Sequence, residues 1–392
     1  MRKRAIAVVL AMVLAFASLI GCGTPAASNE PTSGAGAAAA VNVTMDTVKV
    51  GFVHISDPSD MGYTYNHDLG TKKMQKELGL RDDQIISKFN VPEGAECDTA
   101  LRELVEAGCN IIFATSFGFE DYAKELAAEY PEVQFCHATG FQAADSGLSN
   151  FHNYFASIYE GRYLSGIAAG LKTESNKLGY VAAFPFAEVI SGYTAFYLGA
   201  KSVNPDVTMD IMYTNSWNDP TVESQVAKAL IDKGCDVISQ HSDSTAPATT
   251  AEENKVWQVG YNNDMISAAP NASLISPSID WSVYLIEAVT AVVDGKKIPV
   301  DWCKGFADGV VFLTPLNSAI AADGTQEAID DAAAKIKSGD FKVFAGPLTG
   351  TGEDFDGNKV SIDLPVGDYF PEQEKQSAPT WNYIIPGCTV SQ

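Results

Sequence analysis

One stretch of the sequence occurs twice, and this repeat limits the folds that the chain can adopt. Residues 100–113 (ALRELVEAGCNIIF) are echoed by residues 226–239 (VAKALIDKGCDVIS). Both stretches predict an amphipathic helix, a Gly-Cys turn and a strand, because apolar side chains first recur at helical spacing and then form a continuous run. The repeat therefore predicts two similar α/β lobes.

Strands and helices are expected to alternate around both copies of the repeat. Predicted strands lie at residues 48–55, 84–89, 110–115, 133–138, 177–183, 207–213, 236–240, 256–261, 273–276 and 310–313. Predicted helices lie at residues 65–78, 96–107, 119–129, 160–171, 189–202, 220–233, 246–254, 281–294 and 325–338. A βαβα order of this kind predicts parallel sheets that are covered by helices on both faces.

The expected architecture is α/β, with two doubly wound parallel-sheet lobes joined by a hinge. We expect the first lobe at residues 48–175 with about 278–306, and the second at 176–277 with about 307–392. The lobe to which the end of the chain belongs is left open. Ligands of such sheets bind beyond the C-terminal ends of the strands, so two facing lobes would form a cleft that closes by hinge bending.

The N-terminus has the features of an export signal. Arg2, Lys3 and Arg4 precede an apolar run at residues 5–20, which is too short for a stable membrane span. The following Leu-Ile-Gly-Cys resembles a bacterial lipobox, which implies that residues 1–22 are a lipoprotein signal and that Cys22 is acylated. An ordinary secretory signal with a chance cysteine is the alternative. Residues 23–47 are rich in Ala, Ser, Thr, Pro and Gly and predict a flexible tether.

Composition and motif spacing argue against nucleic-acid binding and against catalysis. The chain has 26 basic and 49 acidic residues and a net charge of -23, so nucleic acid is a poor partner. No Gly-x-Ser-x-Gly, P-loop or zinc spacing occurs, and we expect no catalytic residue, metal or cofactor. The cysteines other than Cys22 are expected to be buried free thiols, with disulfides as the alternative.

Several ordered motifs carry a resemblance to one family. They are VGFVHISDPSDMGYTYNHDLG at residues 50–70, IIFATSFGF at 111–119, HATG at 137–140 and YEGRYLSGIAAG at 159–170. Together with the lipobox they resemble the basic membrane protein (PnrA-like) family of substrate-binding lipoproteins. The resemblance implies a type I periplasmic-binding-protein fold, an ABC permease as membrane partner, and a purine base or nucleoside as ligand.

The family's ligand contacts in the first lobe can be carried over to matching positions. In the first loop, family members have an acidic residue three positions before an aromatic residue that stacks on the purine. In this chain these two residues look like Asp60 and Tyr63, and Tyr65 and Asn66 could line the same wall of the cleft. The alternative is that both tyrosines are surface residues at a helix start. In the TSFGF turn, Thr115 and Ser116 could hold polar edges of a base, and Phe117 or Phe119 could pack against it. Core packing of both phenylalanines is the alternative.

In the second lobe the matching motifs are AAFPFAEVISG at residues 182–192 and SQHSDST at 239–245. The resemblance implies that Phe184 or Phe186 forms the opposite face of a sandwich around the purine, with Glu188 nearby. Asp243 is a partner for an amino group, whereas His241 either joins it or only braces the loop.

One departure from the family concerns the ligand itself. Nucleoside-binding members typically have Gly-Val-Asp-Lys-Asp after a later strand, where this chain has Gly-Tyr-Asn-Asn-Asp at residues 260–264. The lysine is missing, Asn262 replaces the first aspartate, and Tyr261 adds bulk. A site without partners for ribose hydroxyls favours a free base such as adenine over a nucleoside. Asp264 and Trp281 are still expected to line the cleft.

Two other functions remain as alternatives. A receptor lipoprotein could use the same closure to signal through a membrane partner. A nucleoside-cleaving enzyme is the less favoured alternative, because no carboxylates cluster as its metal site would need. The expected protein is a monomer held by lipid on the extracytoplasmic side of the cell membrane.

Overall fold

The structure is a computed structural model, and it describes residues 43–353 and 357–391. The predicted signal, the predicted lipidation site Cys22 and most of the predicted tether lie outside the described residues. Within those two ranges, no helix has the length and apolar character needed to cross a bilayer.

The described residues form fifteen strands and ten α-helices. The strands are β1 (Val50–Val53), β2 (Ile85–Lys88), β3 (Ile111–Ala114), β4 (Gln134–His137), β5 (Phe151–Ala156), β6 (Lys177–Ala182), β7 (Thr208–Tyr213), β8 (Val237–Gln240), β9 (Trp257–Val259), β10 (Pro277–Ile279), β11 (Asp301–Lys304), β12 (Val311–Leu313), β13 (Leu348–Glu353), β14 (Lys359–Leu364) and β15 (Cys388–Ser391). The helices are α1 (Tyr63–Leu78), α2 (Ala95–Glu106), α3 (Glu120–Glu129), α4 (Ala143–Ser146), α5 (Ile158–Lys172), α6 (Ala187–Val203), α7 (Pro220–Asp232), α8 (Ala246–Asn254), α9 (Ser282–Val293) and α10 (Thr325–Ser338).

The strands build two parallel sheets, each the centre of one lobe. The first sheet has the order β11-β5-β4-β3-β1-β2, and the second has the order β15-β7-β6-β8-β9. Every pairing within these two sheets is parallel. Parallel pairing requires a crossover between strands, and helices supply most of these crossovers. The predicted pair of parallel-sheet lobes is confirmed.

Two short antiparallel pairs lie outside the main sheets. Strands β10 and β12 pair with each other, and β13 pairs with β14 as a hairpin. The strand predicted at residues 273–276 is wrong: Ser273 makes a single bridge to Gln258, and residues 274–276 form no strand although Leu274 and Ile275 still share backbone hydrogen bonds with the β9 segment. The extended pairing begins only at Pro277, in β10.

Three strands of the main sheets escaped the sequence analysis. Strand β5 is fully buried although it contains His152 and Asn153. His152 Nε2 is 2.9 Å from Gln134 Oε1, and Asn153 Oδ1 accepts a hydrogen bond of 2.7 Å from Ala143 N. Because these partners satisfy the polar groups, a strand that lacks an apolar pattern can still be buried. Strands β11 and β15 are edge strands of the first and second sheet, and each comes from a part of the chain that is distant in sequence from the strand with which it pairs.

Helix α5 packs in the second lobe, although the sequence placed residues up to 175 in the first. Tyr163, Leu164 and Ile167 of α5 belong to one buried cluster with α6 and with Ile329 of α10. The lobe boundaries given above otherwise stay a prediction. All six cysteines of the described residues are free thiols: Cys97, Cys109, Cys136, Cys235, Cys303 and Cys388.

Glycines allow α5 and α6 to pack almost backbone to backbone. A Cβ added at Gly166 would lie 2.0 Å from the carbonyl oxygen of Phe196, and one added at Gly199 would lie 1.9 Å from that of Tyr163. Backbone atoms cannot move aside as a flexible side chain can. These glycines therefore fix the distance between the two central helices of the second lobe.

We expect Gly199→Ala to destabilise the protein, because the added methyl overlaps the Tyr163 carbonyl and must push the helices apart. The expected loss is about 1–3 kcal/mol in the free energy of unfolding, as for other overpacked cores. Gly94→Ala is the matched control, since its Cβ would meet only the flexible end of Glu96. Urea unfolding measures both variants, and equal midpoints for them would contradict the packing argument.

Candidate functional site

A cavity lies where the C-terminal ends of the two sheets face each other. Its empty volume is about 340 Å³, part of which is open to solvent. Eleven residues line it: Ile55, Tyr63, Thr115, Ser116, Phe117, Thr139, Glu188, Trp217, His241, Asp243 and Tyr261. Six of them were predicted as site residues from the sequence, namely Tyr63, Thr115, Ser116, Phe117, Glu188 and Asp243.

The carboxylate of Asp60 caps helix α1 and does not line the cavity. Its Oδ1 accepts hydrogen bonds from the backbone N–H groups of Gly62 (2.9 Å) and Tyr65 (3.0 Å), and its Oδ2 accepts one from Thr64 (2.9 Å). Burial raises the pKa of Asp60, and the backbone donors oppose that rise. Asp60 therefore fixes the loop from which Tyr63 enters the cavity.

Tyr63 is supported from behind by a stack of aromatic rings. Its ring meets the imidazole of His67 edge-on at 4.6 Å, and His67 stacks on Trp281 at 4.1 Å between centroids. Trp281 is thus a supporting residue and does not line the cavity as predicted. Packing on both rings holds the Tyr63 ring in one orientation.

The hydroxyl groups at the end of β3 are already bonded to the protein. Thr115 Oγ1 donates to the carbonyl oxygen of Val53 at 3.0 Å, and Ser116 Oγ donates to Glu93 Oε1 at 2.6 Å. Glu93 Oε1 also accepts from the Gly118 N–H at 2.7 Å, and so anchors the short turn that carries Phe117. The two hydroxyls therefore shape the cavity wall more than they offer donors to a ligand.

The predicted aromatic sandwich is closed in this structure. Phe117 of the first lobe stacks directly on Phe186 of the second, with centroids 4.7 Å apart. Phe184 stacks on Phe186 at 5.3 Å and meets Trp217 at 5.0 Å. A flat ring held between two others needs about 7 Å between them, because each aromatic contact is about 3.5 Å. Phe184 and Phe186 therefore close the mouth of the cavity and do not line it.

Two further contacts join the lobes beside the cavity. A Cβ added at Gly62 would lie 1.7 Å from the carbonyl oxygen of Asp243, so only glycine permits this approach. Asn218 Nδ2 donates a hydrogen bond of 2.9 Å to Ser56 Oγ. These contacts define a closed arrangement in which Tyr63 and Asp243 belong to one cavity.

Asp243 is the buried acid of the cavity. Only 4 % of the residue is exposed. Burial, followed by the charges of Asp60, Glu223 and Glu188, raises its pKa well above the usual value, whereas Arg162 lowers it. Among the described residues its carboxyl group has no hydrogen-bond donor, and it faces the cavity. An acid in this position can accept hydrogen bonds from a ligand.

Glu188 belongs to a chain of polar groups that leads away from the cavity. Its Oε1 is 3.3 Å from His241 Nε2, and His241 Nδ1 is 3.3 Å from the buried guanidinium of Arg162. Burial is the main cause that lowers the pKa of His241 below its usual value, so the imidazole is neutral at pH 7. The guanidinium lies 3.6 Å from the ring centroid of Tyr261, which forms another wall of the cavity.

Four other predicted site residues lie outside the cavity lining. Asn66 Nδ2 donates to the carbonyl oxygen of Ile279 at 3.0 Å, and Tyr65 lies one position away on α1. Asp264 caps a short turn by accepting a hydrogen bond of 2.9 Å from Ile266 N. Asn262 is buried in a left-handed backbone conformation, and its amide group has no partner within residues 43–353 and 357–391.

The sequence analysis did not assign five residues that line the cavity. They are Ile55, Thr139, Trp217, His241 and Tyr261. Most of them directly follow a strand of one of the parallel sheets, where ligand contacts are expected. Trp217 lies in the polar loop after β7, and a lone tryptophan among polar loop residues is the signal that could have revealed it. The indole N–H of Trp217 and the hydroxyl of Tyr261 lack partners in the described part of the chain.

The arrangement suits a small, flat and largely neutral molecule. Aromatic side chains supply most of the apolar wall, and Asp243 and Glu188 supply acceptors. The described residues contain no group of three or more His, Cys, Asp or Glu side chains that could hold a metal ion.

Comparisons with known proteins agree with this geometry. The family model described as ABC transporter substrate-binding protein, PnrA-like, matches residues 47–343. A purine-binding protein of Brucella abortus is 38% identical, over 77% of this chain and 85% of the relative. A candidate glucose-binding protein of a Haloferax volcanii ABC transporter is 33% identical, over 83% of this chain and 80% of the relative.

A solved structure with a similar fold is a solute-binding protein of an ABC transporter from Aeropyrum pernix. Its TM-score is 0.65 at 18% sequence identity, and the match covers 79% of this chain and 95% of that chain. At this identity the likeness concerns the fold alone. The predicted type I periplasmic-binding-protein fold is confirmed.

Proposed function

The chain belongs to the PnrA-like family of ABC transporter substrate-binding proteins, and on that premise we propose that it captures a free purine base such as adenine for import. The observation that carries this proposal is the unbonded carboxyl group of Asp243 in a cavity walled by aromatic rings. The Brucella abortus relative, which is named a purine-binding protein, supports the same class of ligand.

Ring stacking supplies the affinity in this proposal. Tyr63, Phe117, Trp217 and Tyr261 present aromatic surface to the cavity from both lobes. A base that packs against one such ring gains about 1–3 kcal/mol. Because the rings belong to different lobes, a bound base would also favour the closed arrangement over an open one.

Acceptor groups supply the specificity for an amino-substituted ring. Asp243 would accept a hydrogen bond from an exocyclic amino group, and Glu188 would accept one from a ring N–H. The donors opposite them are the indole N–H of Trp217 and the hydroxyl of Tyr261, which can bond to ring nitrogens. A free base has an imidazole N–H, and attachment of ribose at that nitrogen removes one donor.

The groups on the ribose side also favour a base over a nucleoside. Asn262 is outside the cavity lining, and the carboxylate of Asp264 already accepts a hydrogen bond from Ile266 N within a turn. Ribose hydroxyls would therefore be buried without partners, which is costly.

A sugar is the second candidate, because the Haloferax volcanii relative is described as a candidate glucose-binding protein. A sugar presents many hydroxyl groups and needs a matching number of free polar side chains. The hydroxyls of Thr115 and Ser116 are bonded within the protein. Few free partners are left, so the cavity fits a sugar less well than a heterocycle.

Location and partners follow from the family and from the N-terminal sequence. We place the protein on the extracytoplasmic side of the cell membrane, as a monomer that delivers its ligand to an ABC permease. Acylation of Cys22 would hold it there through a flexible tether. A receptor role through the same closure, or cleavage of nucleosides, are the alternatives that the experiments below address.

We expect adenine to saturate the protein in a calorimetric titration at one site per chain. Adenosine and glucose should bind at least about ten-fold more weakly, because ribose hydroxyls or sugar hydroxyls would lack partners. Chromatography after incubation with inosine should show no release of base. Saturation by glucose without any response to purines would contradict the proposal, and base release would favour the enzyme.

Tyr63→Ala should weaken adenine binding by about ten-fold or more, because it removes one stacking surface. Tyr65→Ala is the matched control, since Tyr65 lies on the same helix turn but outside the cavity lining. Calorimetry of both variants measures the effect. Equal affinities for the two variants would remove Tyr63 from the binding site.

Cys22→Ser should abolish incorporation of labelled palmitate and release the protein from the membrane fraction. The diacylglyceryl group of a lipoprotein, which carries the fatty acyl esters, is joined to the cysteine sulfur by a thioether bond, and a single substitution removes that sulfur. Cys97→Ser, at a buried free thiol, is the control that should keep the label. A C22S protein that still carries palmitate would refute the lipobox interpretation.

A further inference from the structure

Arg162 is a fully buried cation that does not line the cavity. It lies on α5, and none of its surface is exposed. Its Nη1 donates to the carbonyl oxygen of Gln240 at 2.7 Å, and its Nη2 lies 3.3 Å from His241 Nδ1. No carboxylate of the described residues forms an ion pair with it. A buried charge with so few partners is costly and calls for an explanation beyond packing.

Arg162 selects one tautomer of His241. A guanidinium group has only donors, so the contact with Arg162 requires His241 Nδ1 to accept the hydrogen bond. The proton of the neutral imidazole must then be on Nε2, which lies 3.3 Å from Glu188 Oε1. Nε2–H therefore donates to Glu188 and orients this carboxylate in the cavity wall.

Arg162 also holds Tyr261. The guanidinium carbon is 3.6 Å from the ring centroid of Tyr261, which is a close cation–π contact. The ring of His241 packs against the same tyrosine at 4.9 Å. One residue behind the wall thus contacts Tyr261 directly and reaches Glu188 through His241.

We infer that Arg162 is a positioning residue of the ligand site, which sets affinity and its pH dependence through His241, Glu188 and Tyr261. The inference rests on the proposed function only in taking this cavity as the ligand site. Arg162 itself touches no ligand in this account. It acts by fixing the position of the His241 proton, the Glu188 carboxylate and the Tyr261 ring.

The surrounding charges give the pH dependence its direction. The titratable groups around this cluster are Asp60 before α1, Tyr180 on β6, Glu188 on α6, Glu223 on α7, His241 and Asp243 after β8, and Tyr261 after β9. Arg162 lowers the pKa of Asp243, and the three other carboxyl groups raise it. Loss of the guanidinium should raise the pKa of Asp243 further. The ionised carboxylate, which accepts a hydrogen bond from an amino group of the ligand, should then form only at a higher pH.

The test combines two variants of Arg162 with a matched control. Arg162→Lys keeps the positive charge but loses the planar, forked arrangement of N–H donors, and Arg162→Met removes the charge. Lys172→Met is the control, because Lys172 is also a cation over an aromatic ring, 3.8 Å from the Trp257 centroid. It lies on the same helix, about 15 Å along the axis from Arg162.

Two measurements are made on each protein. Calorimetry with adenine at a series of pH values gives affinity and its pH profile. Histidine-selective 15N NMR of the ligand-free protein reports which ring nitrogen of His241 carries the proton, with His241→Gln used to assign the signal. The tautomer is a readout that a purely structural role of Arg162 would not move.

We expect the wild type and K172M to show the Nε2–H tautomer and the same affinity. Both Arg162 variants should bind adenine at least about ten-fold more weakly at neutral pH, and R162M should have a pH profile displaced to higher pH. Because the Glu188 carboxylate still accepts a hydrogen bond from Nε2–H in these variants, and the ammonium of R162K can also donate to Nδ1, the effect on the tautomer is read in the double variant R162M/E188A, which should show a mixture of tautomers. An unmixed Nε2–H tautomer in R162M/E188A, whatever the affinity, would overturn the inference.

A third variant keeps the test decisive if the Arg162 variants do not fold. Glu188→Ala removes the acceptor on the other side of His241, and the Nε2–H tautomer should persist if Arg162 selects it. A change to Nδ1–H in E188A would overturn the inference. Absence of adenine binding by the wild type would instead refute the proposed ligand, since the tautomer measurement needs no ligand.

Discussion

The two lobes approach each other most closely where Gly62 faces the backbone of Asp243, and the rest of the site depends on this approach. A side chain at Gly62 would overlap the Asp243 carbonyl oxygen, at 1.7 Å. Because the backbones can come this close, Tyr63 and Asp243 share one cavity, and Phe117 reaches Phe186 to close its mouth. A parallel sheet in each lobe aims the strand ends at the same space, so the fold determines which side chains meet.

Burial determines the chemistry of that space. Four carboxyl groups lie in or near the cavity, those of Asp60, Glu188, Glu223 and Asp243, and all of them except Glu188 are buried. Asp60 is stabilised by backbone donors, and Glu223 accepts hydrogen bonds from Ser244. Glu188 is bonded only to His241, and Asp243 has no donor in the described part of the chain. The free acceptors are therefore concentrated on the side of the cavity that the second lobe supplies, next to the buried guanidinium of Arg162.

The sequence was sufficient for the two lobes, for eight of the eleven strands of the main sheets and for about half of the cavity. Repeats and apolar periodicity predicted the lobes, and the resemblance to the family indicated site residues such as Ser116 and Asp243. The sequence could not reveal that the Ser116 hydroxyl is bonded to Glu93, or that Asp60 caps a helix, because competing partners become visible only in three dimensions. Strand β5 was missed because His152 and Asn153 interrupt its apolar pattern, and their partners come from other segments.

The central claim is that the closed cavity holds a flat heterocycle through ring stacking and acidic acceptors. Mass spectrometry of the small molecule that is released when the purified protein is denatured tests it most directly, because the cavity itself then selects the ligand from the cell. The account predicts the mass of a free purine base in near-equimolar amount. Release of a sugar or an amino acid in that amount would contradict it.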